Sequence, residues 1–267
     1  MSDFVLTNEN YYSKEANERY MSVHQYLDFC GHMGVQGCEK RALAAIRGEY
    51  TKEKSVAMQV GSYVDSFFEG TIDQFKKENP EIFTQKGELK SSFKQADVMI
   101  ERALRDKKFM AYMSGEKQVI MTGYLFGCDW KIKMDSYIPD TAIVDLKTAN
   151  DLHRAWRVQD YGYASCAEYW AYTLQMAVYQ KIVEINTGKK LPCILAFITK
   201  EDSPELKLCY IDQMTLDHSL NEIEMNMASV LMVKNGEVDP IPCGKCDYCK
   251  ATEPIEKVIN ISELIEV

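Results

Sequence analysis

Met134-Asp135-Ser136-Tyr137, a short turn at Pro139-Asp140, and then Ile143-Val144-Asp145-Leu146-Lys147-Thr148 decide how this chain folds. The run 142–147 is apolar and β-branched, which predicts a strand. Side chains two apart on a strand share a face, so Asp145 and Lys147 look into one pocket while Leu146 enters the core. The tight turn brings Asp135, on the preceding strand, to the same pocket. Two carboxylates and the Leu146 carbonyl offer hard oxygen ligands suited to Mg²⁺ or Mn²⁺. Lys147 beside such an ion would orient an attacking water and stabilise charge building on phosphoryl oxygens. A D-x-K tripeptide alone is common and reads as the outer face of a half-buried strand; its surroundings give it weight.

Outward from this stretch, 119–126 and 130–138 read as strands around Gly127-Cys128-Asp129, so that with 142–147 they form an antiparallel meander. Upstream, 22–47 is helical, with Tyr26, Phe29, Leu43 and Ile46 at helical spacing and an interruption at 31–37. Met58, Val60, Tyr63, Val64, Phe67 and Phe68 mark a second helix ending near Gly70, and 93–110 suggests a third. Downstream, a polar, aromatic-rich connection over 148–167 leads into a helix over 168–186 that stops at Gly188. Strands over 193–199 and 206–211 follow, the first apolar enough to be buried on both faces, and a helix over 215–234 precedes a cysteine-rich tail. This order predicts an α/β fold in one domain, 1–267, made of a helical region over 1–115, a catalytic core over 116–235 and a tail over 236–267.

Composition sets limits. At 267 residues the chain can bury a substantial core, and its makeup is that of an ordinary globular protein. No apolar run reaches the roughly 18 to 20 residues that a membrane span needs, and 1–8 lack a signal-like pattern, so a cytoplasmic location and no membrane partner are expected. Net charge −9 argues against a general polyanion binder, although bound cations reverse the local sign where carboxylates gather. Lys131, Lys133, Arg154, Arg157, Lys189 and Lys190 are the cations from which a DNA path could be built. Gly188-Lys189-Lys190 lacks the frame of a P-loop, and His24, His32, His153 and His218 show no paired spacing.

Cys243-Gly244-Lys245-Cys246-Asp247-Tyr248-Cys249 is a second constellation. Three thiols this close in a protein expected to be cytoplasmic suit metal ligation and call for a fourth ligand. Zinc and an iron-sulfur cluster both satisfy the spacing. Cys128, Cys166, Cys193 and Cys209 read as small apolar fillers or isolated thiols.

The stretch 123–179 resembles the PD-(D/E)xK nuclease superfamily, in particular phage-type exonucleases related to the C-terminal domain of RecE and, further off, RecB-type nuclease domains. The resemblance rests on the Asp135 strand, Asp145-Leu146-Lys147-Thr148, the aromatic Tyr161-Gly162-Tyr163, and the helix bearing Gln175-Met176-Ala177-Val178-Tyr179. It implies a restriction-endonuclease-like core, a mixed central sheet flanked by helices, with an N-terminal helical region and a C-terminal Cys-rich appendage. It also implies that Asp135, Asp145 and Lys147 are catalytic and that Gln175 and Tyr179 line the site and contact DNA. Val60-Gly61-Ser62-Tyr63-Val64-Asp65 is similar to the family's G-x-x-x-H helix, with Asp65 where histidine is usual and Glu69 one turn on. A further acidic ligand precedes the first long strand in the family; Glu116 or Gln118 holds that place here. In RecB-type and Cas4-type nucleases one upstream cysteine joins three C-terminal ones around a 4Fe-4S cluster, which points to Cys38, with Cys30 as competitor, beside Cys243, Cys246 and Cys249.

The activity so implied is a Mg²⁺-dependent DNA exonuclease that trims double-stranded DNA ends 5′ to 3′ and passes the exposed strand to a single-strand annealing protein, in phage-type recombination in a host cytoplasm. By the same resemblance it is a homo-oligomer. Two alternatives stand beside it: a Cas4-like or repair nuclease acting on single strands, and a non-catalytic DNA-binding scaffold whose metal site has decayed at Asp65 and Gln118.

Overall fold

The computed structural model describes residues 4–33, 35–255 and 258–264. Its N-terminal region is helical: α1 (Lys14–Arg19), α2 (Val23–Cys30), a hairpin of β1 (Gly31–His32) and β2 (Val35–Gln36), then α3 (Glu39–Ile46), α4 (Val56–Glu69), α5 (Ile72–Glu78), α6 (Ser91–Leu104) and α7 (Lys107–Tyr112). Side-chain oxygens of Ser13, Ser22, Ser55 and Asp106 cap α1, α2, α4 and α7, supplying acceptors for first-turn amides that lack a helical partner. The interruption expected within 22–47 is a tight hairpin. Gly31 sits at φ 72°, and a Cβ there would lie 2.2 Å from the Val35 carbonyl oxygen, so only glycine allows the reversal.

The C-terminal region alternates: β3 (Val119–Leu125), β4 (Cys128–Met134), β5 (Ser136–Ile138), β6 (Ala142–Ala149), a second hairpin of β7 (Trp156–Val158) and β8 (Gly162–Ala164), α8 (Cys166–Tyr169), α9 (Tyr172–Thr187), β9 (Cys193–Thr199), β10 (Leu206–Tyr210), α10 (Gln213–Lys234) and α11 (Asp247–Thr252). The central sheet has the order β10-β9-β6-β5. It is mixed: β6 and β9 run parallel, with Asp145 opposite Leu195 and Lys147 opposite Phe197, and both outer pairs are antiparallel. The expected meander is not continuous. β3 and β4 form their own hairpin, the chain bends at Asp135, and β5 pairs with β6 only as far as Ser136 opposite Val144. The expected helix over 168–186 is likewise two, α8 and α9, because Ala171 takes a left-handed φ of 60°.

Strand alternation gives the sheet two apolar faces. Ile143, Cys193, Leu195 and Phe197 pack against Leu174, Met176 and Val178 of α9 and Ile223 and Met227 of α10. Val144, Leu146, Ile194, Ala196 and Ile198 pack on the other side against Val60 and Val64 of α4, Met99 and Ile100 of α6 and Phe109 of α7. Each fully buried side chain of this kind contributes roughly 1.5–3 kcal/mol. A mixed sheet covered by helices on both faces is the architecture the resemblance implied, with the cysteine cluster near the C-terminus. No helix of the described residues is long and apolar enough to cross a membrane.

Candidate active site

The alternation that buries Leu146 on the α4 side turns Asp145 and Lys147 toward α9. Asp145 is 2% exposed. Its Oδ1 accepts from Gln175 Nε2 at 2.8 Å, while its Oδ2 lies 2.6 Å from Lys147 Nζ and has no hydrogen-bond partner beyond that ion pair. Lys147 Nζ also lies 4.8 Å from the centre of the Tyr172 ring. Asp135, at the β4–β5 bend, accepts the Leu146 amide on its Oδ2 at 2.9 Å. The N–H and C=O of a strand residue point to one edge, so the Leu146 carbonyl faces the same edge as Asp135. Tyr179 is one turn after Gln175, and its hydroxyl donates to the Lys133 carbonyl at 3.1 Å, tying α9 to β4 rather than to the carboxylates.

Helix α4 brings in further charge. A Cβ on Gly61 would stand 3.2 Å from Thr148 Oγ1, so the glycine lets α4 pass close to β6. One turn later comes Asp65, and one more Glu69. Burial, then the neighbouring Asp135, pushes the Asp65 carboxyl well above the ordinary carboxylate range, with Glu69 and Asp145 adding to the shift. Burial and Asp145 push Asp135 up to about 7, against the opposing pull of Lys147 and the Leu146 amide. Burial works against the charge on Lys147, but Asp145 and Asp135 more than offset it and hold the ammonium above its usual value. Lys147 thus stands among Asp65, Glu69, Asp135 and Asp145, and Lys133 also feels the charge of Glu69, Asp135 and Asp65.

That gathering of carboxylates, with Asp145 Oδ2 held by Lys147 alone, fits a divalent cation. Among the described residues the carboxylates do not converge as tightly as the four thiols of Cys38, Cys243, Cys246 and Cys249.

Of the two candidates for the acidic position before β3, Gln118 is the one brought to the cluster, its Nε2 donating to Glu69 Oε1 at 2.8 Å. Glu116 is exposed and pairs through its backbone with Tyr137. Glu69 therefore sets a carboxylate beside Gln118; its spacing of four from Asp65 was the sequence signal for it.

The cations read from sequence as a DNA path divide. Lys131 is buried and donates to the Tyr11 carbonyl and Asn17 Oδ1, so it fastens the N-terminal segment and is closed to a ligand. Lys189 and Lys190 pair with Asp140 and Asp217 at 2.7 and 3.1 Å. Lys133 remains at the site, its Nζ 5.2 and 4.8 Å from the ring centres of Tyr11 and Tyr12. Arg154 and Arg157 are exposed.

The thiols converge. Sγ atoms of Cys38, Cys243, Cys246 and Cys249 all lie within 4.8 Å of one another, while Cys30 is exposed and apart. Cys38 caps α3, its Sγ 3.5 Å from both the Arg41 amide and Cys249 Sγ. Amides of Cys246 and Cys249 point at Cys243 and Cys246 Sγ at 3.3 and 3.5 Å, donors that favour thiolate. Burial raises the Cys243 thiol, yet the amides of Lys245 and Cys246 outweigh it and bring it down to about 6. Four thiols at this spacing can bind a metal; Sγ separations of 3.5 and 3.9 Å match four thiolates about a single tetrahedral ion such as zinc, whose Zn–S bonds of about 2.3 Å set the sulfurs roughly 3.8 Å apart.

The profile of a family described as a PDDEXK-like domain of unknown function matches residues 22–252. The chain is similar to a protein from Eubacterium rectale named a "putative exonuclease", at 53% identity over 98% of both chains, and its crystal structure superposes with a TM-score of 0.96. Another crystal structure, of SSO0001, is 16% identical over 82% of this chain and 95% of that one, with a TM-score of 0.30, too low to bear on the fold. No curated protein gives a match.

Proposed function

Because the chain belongs to the PDDEXK-like domain family, we propose that it is a nuclease, a metal-dependent enzyme that hydrolyses DNA phosphodiester bonds from duplex ends. The observation that carries this reading is the Asp145–Lys147 pair at 2.6 Å, with Asp135 fixed on Leu146 between them. The name of the E. rectale relative supports it.

Asp135, Asp145 and the Leu146 carbonyl would hold a Mg²⁺ or Mn²⁺ ion, with Asp65 and Glu69 next to them. Such an ion supplies Lewis acidity toward the phosphate and toward water. Gln175 keeps the Asp145 carboxylate from rotating. Lys147, held protonated by its carboxylates, offers a fixed positive charge to the phosphoryl oxygens as they gain charge in the transition state. Lys133, steadied by Tyr11 and Tyr12, is placed to hold a neighbouring phosphate. Attack from duplex ends, 5′ to 3′ polarity, delivery of the strand to an annealing protein and assembly into a homo-oligomer follow the resemblance to phage recombination exonucleases.

The test is digestion of end-labelled linear, nicked and circular duplexes with Mg²⁺, Mn²⁺ or EDTA. Release of label from linear duplex alone, abolished by EDTA, is expected; no cleavage of any DNA with either metal overturns the reading and leaves a binding scaffold. The four-thiol cluster favours a second reading, a Cas4-like nuclease on single strands. Faster digestion of single-stranded than of duplex DNA would select it.

A further inference from the structure

The connection between β6 and α9 carries more aromatic surface than its length requires. In hairpin β7–β8, Trp156, Val158 and Ala164 share one face, Val158 and Ala164 being buried. The opposite face holds Arg157 directly across from Tyr163, and Tyr163 is 71% exposed. Beneath it the aromatics are locked together: Trp156 and Tyr169 stack with ring centres 4.3 Å apart and planes 19° apart, and Trp170 meets both edge-on at 5.6 and 5.1 Å. The Arg154 guanidinium sits 4.1 Å from the centre of the Trp156 ring. The Trp156 indole N–H is buried and has no protein acceptor. Trp170 and Tyr161 remain 46% and 52% exposed.

Both ends of this element run into the carboxylate site. It leaves β6 at Ala149, two residues after Lys147, and returns at Tyr172, whose ring lies under the Lys147 ammonium. Rigid rings with open faces beside arginines are the means by which single-stranded nucleic acid is held, since every base has a face to stack and guanidinium groups meet phosphates. Of the acidic residues nearby, Glu168 accepts from Ser165 and Tyr161 and Asp151 from the His153 amide, while Asp160 stands exposed in the hairpin turn. In a chain of net charge −9, stacking is an attraction that needs no favourable overall field.

We infer that hairpin β7–β8, with Tyr163, Arg157, Arg154 and Trp170, is a base-stacking platform that holds single-stranded DNA on its way to or from Lys147. This rests on the nuclease reading only for its choice of ligand.

The experiment is fluorescence anisotropy without added Mg²⁺ or Mn²⁺, so that nothing is cut. The probes are a labelled oligonucleotide of about twelve nucleotides and an abasic strand of the same length. Binding of the oligonucleotide with weaker binding of the abasic strand is expected. Tyr163→Ala and Trp170→Ala should each weaken it at least about fivefold, from the roughly 1 kcal/mol or more that one base–ring stack is worth, and Tyr163→Phe should bind as wild type. Equal binding of both strands, or unchanged binding by a folded Tyr163→Ala protein, overturns the platform. If Trp170→Ala does not fold, Tyr163→Ala decides alone. A protein that cuts duplex with Mg²⁺ but binds independently of Tyr163 loses only the platform; one that cuts nothing but binds through Tyr163 loses only the nuclease reading.

Discussion

Asp135 accepts the Leu146 amide hydrogen at 2.9 Å, so a carboxylate and not a neighbouring strand completes this stretch of β6. The β5–β6 ladder ends at Ser136 and Val144, and the next edge group of β6 would be unsatisfied without Asp135. One bond therefore does two things: it closes the sheet edge, and it fixes the carboxylate beside Asp145 and Lys147. An amide donor also favours the charged carboxylate, which partly offsets the crowding by Asp145.

Asp145→Asn, Lys147→Ala and Asp135→Asn should each lower DNA hydrolysis at least about a hundredfold, the scale for losing a group that stabilises transition-state charge, while circular dichroism stays unchanged. Asp145→Asn keeps the shape and leaves Gln175 a carbonyl oxygen to donate to, but it sets an amide NH2 against the Lys147 ammonium and so removes the ion pair. Digestion at the wild-type rate by a folded Asp145→Asn protein would remove this residue from the site.

Gln175→Ala and Tyr179→Phe act one step away, through the Asp145 carboxylate and the Lys133 carbonyl. Losses of about tenfold, smaller than for Asp145, are expected, because positioning rather than charge is removed. Tyr179→Phe should also cost about 1 kcal/mol in urea unfolding, the usual net worth of one buried hydrogen bond. Global unfolding of Tyr179→Phe with no folded, less active species would mark this ring as a packing residue only.

The raised Asp135 carboxyl has a consequence for stability in metal-free protein. Its folded value is about 7 against 3.8 for the free side chain, so folding favours the protonated form. Its contribution is fully present below about pH 4 and is lost as the pH rises through about 7. Metal-free wild-type protein should melt lower at pH 8 than at pH 5, and Asp135→Asn should flatten that slope. Mg²⁺ should restore the wild-type melting temperature at pH 8 and the variant's much less. Identical pH slopes for the two proteins would refute the assignment.

Cys38 and Cys249 are 211 positions apart in sequence with their Sγ atoms 3.5 Å apart, so a metal bound there closes a very long loop. Replacing any one of Cys38, Cys243, Cys246 or Cys249 by Ser should release metal and lower the melting temperature by several degrees. Cys30→Ser should do neither. Anaerobically purified protein that is brown with broad absorbance near about 400 nm would identify a 4Fe-4S cluster, and colourless protein with one zinc per chain its rival. Absence of iron and zinc together with four freely alkylated thiols would eliminate the centre.

The local grammar of the sequence carried much of this. Strand alternation alone put Asp145 and Lys147 on one side and Leu146 on the other, because that geometry depends on nothing beyond the strand itself. Gly188 ended α9, and the apolar run 193–199 became the doubly buried β9, each for reasons local to its own segment.

What the sequence left open were relations between segments. The resemblance pointed to Cys38 and left Cys30 as its competitor; the hairpin at Gly31 sends Cys30 outward and leaves Cys38 at the start of α3, facing the tail. Glu116 and Gln118 were equivalent as well, until the chain entering β3 with Gln118 at φ 52° put that side chain, and not Glu116, against Glu69. Lys131 looked like a surface cation and proved to be buried under Tyr11. Charge and spacing are written in the sequence, but which carboxylates crowd one another depends on how closely α4 passes β6. That distance is set by Gly61 against Thr148, across a packing contact that only the folded chain contains.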